Sequence, residues 1–121
     1  MGERDEWLEI YDALVNEVRA FSELATALMK IDGVSMYVLD DRYSISSDKT
    51  GIVRLSTPHR VNPINVFYGD LREIYENLGD IIEAHKIMLS AIKSKVKRME
   101  DEFNKCMDVL SAIVISRGLK P

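Results

Sequence analysis

The side chains of this sequence that could do chemistry are few. There are two histidines and one cysteine, with serines and carboxylates spread through a chain of 121 residues. Ser44, Ser46, Ser47, Asp48 and His59 supply the residue types of a hydrolase triad. No Gly-x-Ser-x-Gly elbow exposes a serine, however, and serines beside Asp and Gly are ordinary turn chemistry. Cys106 sits in an apolar series with no flanking histidine, which predicts a buried structural thiol. Glu73, Glu76, Asp80 and Glu83 step 3-4-3 along one helix face. A di-metal bundle site needs inward carboxylates with Glu-x-x-His pairs, and these point outward, so a solvated face is expected. There is no glycine-rich phosphate loop and no Cys/His zinc spacing. The residues therefore predict no catalytic centre, no metal and no cofactor.

One polar pair stands out for a different reason. Glu17 and His85 each interrupt an apolar helical seam. If a helical hairpin sets Ile31 opposite Phe67, Glu17 falls within about a turn of His85 at 1.5 Å per residue. The expectation is a half-buried Glu17–His85 pair that fixes register rather than one that catalyses.

The elements that must position these groups are legible from periodicity. Residues 5–31 repeat as a helix, with Trp7, Leu14, Phe21 and Leu28 seven apart, Ile10, Leu24 and Ile31 between, and Tyr11, Val18 and Ala25 widening the stripe. Gly33 follows as a left-handed cap. Residues 34–56 change character: Val34–Leu39 is β-branched and aromatic, Asp40-Asp41 marks a turn, and Ser47–Gly51 marks another. They predict a small antiparallel β meander of two or three strands. Residues 57–62 read as a linker. Asn62-Pro63 then resembles an N-cap with proline in the first helical turn, which opens a long helix over 63–117. Its apolar positions run from Phe67 through Ile113 in steps of three and four, and Gly79 is the candidate hinge.

The fold class expected is mainly α with a small α+β character. Long amphipathic helices would form a hairpin, bundle or coiled coil with the β meander inserted between them, all within a single domain of residues 1–121. The two helices are unequal. The first would be about 40 Å long and the second about 80 Å. A fold-back leaves Val96, Met99, Phe103, Cys106, Leu110 and Ile113 uncovered. A stripe of that length implies an interface, most simply with a second copy as a homodimer or higher oligomer.

Charge is arranged unevenly. Residues 1–32 hold eight acids and three bases, whereas residues 84–98 hold five bases and no acid, in a chain of net charge −4. Lys86, Lys93, Lys95, Lys97 and Arg98 lie off the apolar seam or beside it. They read first as a solvated face that attracts the acidic first helix. The alternative is a contact for an anion or nucleic acid, joined by Arg42, Lys49, Arg54 and Arg60 of the β unit.

The order of helix, small β unit and longer helix resembles that of prefoldin subunits, whose hairpins assemble a barrel carrying coiled-coil arms. The arms there are of similar length, and here one is about twice the other. A winged-helix regulator does not fit, because one helix precedes the strands where that fold has three. The single cysteine and the charged opening residues lead to the expectation of a cytoplasmic protein with no membrane contact. The lack of Gln hints at a thermophile, and six methionines pull the other way. The function expected is a non-enzymatic homo-oligomeric scaffold or adaptor, with the β unit free to meet a protein partner. The alternative is a nucleic-acid-associated accessory factor.

Overall fold

The computed structural model describes residues 3–118. Among them are three α-helices and one four-stranded antiparallel sheet, so the chain is mainly helical with a β meander between its helices. Helix α1 spans Glu3–Asp32. The strands follow as β1 (Met36–Val38), β2 (Ser44–Ser47), β3 (Val53–Ser56) and β4 (Ile64–Val66). A 3-10 turn, Tyr68–Asp70, leads to α2 (Leu71–Glu76) and α3 (Leu78–Ser116).

Helix α1 stops as its sequence dictates. Gly33 takes φ +66°, and its N–H reaches the carbonyl of Lys30 at 3.2 Å while that of Val34 reaches Met29 at 2.9 Å. This is a Schellman cap, which satisfies carbonyls left open at the helix end. The first hairpin turns on Asp40, whose Oδ1 accepts from the backbone of Arg42 at 2.8 Å and Tyr43 at 2.9 Å. The second turns on Asp48, which accepts from the Thr50 backbone at 2.8 Å and from the Thr50 hydroxyl, with Gly51 at φ +81°.

The expected long helix over 63–117 is corrected by the structure. Residues 64–66 are a fourth strand, with Ile64 opposite Leu55 and Val66 opposite Val53. Pro63 precedes a strand here, a position that proline also tolerates. The chain that was expected to be helix from 63 begins its helices at Leu71, and Phe67 lies outside them. The break is also displaced: Gly79 is inside α3, and the interruption falls at Asn77, with φ −113° and ψ 21°. Asn77 closes α2 through its Nδ2–H to the carbonyl of Glu73 at 2.8 Å, and its own carbonyl accepts from Ile81 at 3.1 Å. An asparagine side chain competes with the backbone in this way wherever a helix can be interrupted.

The chain divides into two units, Met1–Leu89 and Ser90–Pro121. The first holds the core. One face of the sheet gives Tyr43, Ile45, Val53, Leu55, Ile64 and Val66; α1 gives Leu14, Val18, Phe21, Ala25 and Leu28. Ile74 of α2 and Ile81, Ala84 and Met88 of α3 complete it. The α1 stripe is thus centred on Val18 and Ala25, while Trp7 and Ile31 are exposed. The second unit contains one regular element among its described residues, the remainder of α3.

Candidate interaction surface

A lone helix has no partner on which to bury an apolar face, and the second unit has such a face. Val96, Met99, Phe103, Leu110 and Ile113 follow one another in steps of three, four and seven and are all exposed, Phe103 to 64% and Leu110 to 50%. Met107 and Val109 flank them, also exposed. Cys106, expected to be a buried thiol, is a free and exposed cysteine on the same stripe. Nothing among the described residues of its own unit covers it. At the start of the stripe, Val96, Met99, Glu100, Phe103 and Asn104 line an open hollow of about 430 Å³. The first four stand at i, i+3, i+4 and i+7, the four residues that form a hole for a facing knob in coiled-coil packing.

The structure brings Glu17 and His85 together. His85 Nδ1 lies 2.5 Å from Oε1 and 3.0 Å from Oε2 of Glu17, and both side chains are about one-fifth exposed, 19% and 18%. The edge of Phe21 meets the imidazole with ring centroids 6.3 Å apart and planes at 87°. Helix α1 and α3 each supply one polar group here, and an aromatic ring closes one side.

Of the basic series, Lys86, Lys93, Lys97 and Arg98 are exposed and Lys95 is partly so. The arginines of the β unit are engaged with acids. Arg42 meets Asp40 at 3.3 Å, Arg54 meets Asp48 at 2.6 Å, and Arg60 meets Glu73 at 2.7 Å. Two members of the carboxylate series are likewise tied down rather than solvated: Glu73 by Arg60, and Asp80 by the Tyr43 hydroxyl, which donates to it at 2.9 Å. Burial raises the Tyr43 phenol above its ordinary value, and the bond to Asp80 adds to the shift. Backbone N–H groups hold the Asp40 and Asp48 carboxyls below the usual range, with the Thr50 hydroxyl the first contributor at Asp48. Among the described residues no group of three or more His, Cys, Asp and Glu is gathered closely enough to hold a metal ion.

Sequence reasoning missed one surface. Trp7, Ile10, Tyr11 and Leu14 of α1 and Leu71, Arg72, Tyr75 and Glu76 of α2 line a mostly apolar groove of about 490 Å³. Its one signal in the sequence is aromatic: Trp7 and Tyr11 are exposed at the start of α1, and Tyr75 is exposed on α2. The groove was illegible because it needs α2 to be a separate short helix.

Compared with known proteins, the chain matches no family model, no curated protein and no solved structure. No helix among the described residues is long and apolar enough to cross a membrane.

Proposed function

We propose that this protein is a non-enzymatic homo-oligomeric scaffold or adaptor, cytoplasmic, that self-associates through the apolar stripe of its second unit. The observation that carries this reading is the exposure of Val96, Met99, Phe103, Leu110 and Ile113 on a helix with nothing among the described residues of its own unit to cover it. Exposed apolar ladders of this kind are costly in water and are relieved by another chain. Burying a side chain such as Phe103 or Leu110 in that way contributes on the order of 1.5–3 kcal/mol. The first unit, folded around its own core, is then free to present the sheet or the aromatic groove to a partner.

The test is light scattering coupled to size exclusion over a concentration series. The wild-type chain is expected to exceed its monomer mass of 13.8 kDa, and the double change Phe103→Asp with Leu110→Asp is expected to return it to monomer. A mass that does not respond to the double change overturns the reading.

The nucleic-acid alternative draws on exposed Lys86, Lys93, Lys97 and Arg98. It is the weaker reading because Arg42, Arg54 and Arg60 already meet carboxylates, which a phosphate would have to displace. It requires an affinity for DNA or RNA that falls steeply with salt.

A further inference from the structure

Resting on the self-association reading, we propose that the second copy lies antiparallel on α3, with the twofold axis crossing between Lys97 and Arg98. The charge pattern of α3 selects this arrangement. Val96, Phe103 and Leu110 form one rung series, and Ile92, Met99, Cys106 and Ile113 form the other. The charged positions flanking the central rungs are Lys93 and Glu100 on one side and Lys95 and Glu102 on the other, while Met107, Val109 and Val114 flank the later ones. Flanking charges of this kind set partner orientation in coiled coils.

With the axis between Lys97 and Arg98, Val96 faces the partner's Met99 and Ile92 faces the partner's Phe103. Lys93 then comes within about 3 Å, along the axis, of the partner's Glu100, and Lys95 within about 3 Å of the partner's Glu102, at 1.5 Å per residue. Both charged flanking pairs, Lys93 with Glu100 and Lys95 with Glu102, are of opposite sign and occur twice by symmetry. Sliding the partner by one heptad in one direction sets Glu100 and Glu102 against their own copies. Sliding it the other way sets Lys93 and Lys95 against theirs. A parallel, in-register pair joins Lys95 to Glu100 alone and lays the whole basic run beside itself.

The hollow lined by Val96, Met99, Glu100 and Phe103 then receives the partner's Val96, and the exchange is reciprocal.

The native cysteine makes the arrangement testable. In this register Cys106 faces the partner's Leu89 and lies about 25 Å along the axis from the partner's Cys106, too far for a disulfide. Full-length wild type, Leu89→Cys, and Leu89→Cys with Cys106→Ser are oxidised with diamide and run without reductant, and cross-linked peptides are identified by mass. The expected result is a covalent dimer for Leu89→Cys, joined from position 89 to Cys106, and none for the other two. A wild-type dimer joined through Cys106 overturns the antiparallel register while leaving self-association intact. So does a chain that is dimeric by light scattering but is not cross-linked in any variant. A chain that stays monomeric at every concentration overturns the underlying reading, and this one with it.

Discussion

Replacing Glu17 and His85 singly and together tests whether their contact holds α1 and α3 in place. The 2.5 Å contact between His85 Nδ1 and Glu17 Oε1 joins residues far apart in sequence, and both side chains are mostly but not fully buried. A neutral hydrogen bond contributes a net ~0.5–1.5 kcal/mol, and one to a charged group ~1.5–3 kcal/mol. Water reaches about a fifth of each side chain, so screening reduces the upper figure, and a coupling energy of about 1–2 kcal/mol is expected. Glu17→Ala strips His85 of its acceptor and is expected to cost about that much. Glu17→Gln keeps an amide oxygen near Nδ1 and is expected to cost less.

The assay is urea unfolding of wild type, Glu17→Ala, His85→Ala and the double variant, at one protein concentration so that self-association does not shift the midpoints. The double variant should be more stable than the sum of the single losses predicts, by the coupling energy. Independent sites add within about 0.3–0.5 kcal/mol. Additivity within that margin would refute the claim that the pair holds the helices in place, whatever the distance between the atoms.

Other changes probe the rest of the first unit. Tyr43→Phe loses the bond to Asp80 and is expected to cost about 1 kcal/mol at neutral pH. Its effect should shrink at high pH. The phenol is raised above 10.0 in the fold, so its contribution is complete below that value and is lost as pH rises through the raised one. The gap between wild type and Tyr43→Phe should therefore narrow above pH 10, and a constant gap refutes it. Ile81→Ala opens a cavity at a fully buried site and is expected to cost ~2–5 kcal/mol by chemical denaturation. Gly33→Ala puts a β-carbon on a residue with φ +66° and open space around it. Its cost is conformational alone, about 1 kcal/mol, and should appear as a melting point lower by a few degrees.

Much of this fold was legible because periodicity changes where the structure changes. The seven-residue repeat of Leu14, Phe21 and Leu28 and the turn signals at Asp40 and Asp48 mark α1 and the first hairpins directly. The fourth strand was hidden because Ile64-Asn65-Val66 is three residues long, and Phe67, Leu71 and Ile74 continue a 4-3 step that reads equally as helix. What decides between them is register with β3, a non-local fact. Asn62-Pro63 is ambiguous for the same reason, since proline opens helices and strands alike. Glu17 and His85 were legible because each is a polar residue in an otherwise apolar seam. Their pairing survives a wrong assumption about the pivot: Phe67 lies outside the helices, yet the two residues still meet. The acidic partners of Arg42, Arg54 and Arg60 could not be read from charge counts, because they depend on which loop folds onto which.

The contrast between the two halves of α3 bears most directly on function. Up to Met88 its apolar residues alternate between two lines. Ile81, Ala84 and Met88 are fully buried in the core of the first unit, while Ile82 and Leu89 on the adjacent line are not. After Leu89 the buried line ends: Lys95 stands one seven-residue step beyond Met88, and Arg98 stands two beyond Ala84, after Ala91. The exposed line does not end. Val96, Phe103 and Leu110 keep the same step for three more heptads. If the exposed residues were leftovers of an oversized core, they would lapse where the core lapses. They outlast it with unbroken spacing, and the proposed self-association rests on that periodicity more than on the exposure of any one residue.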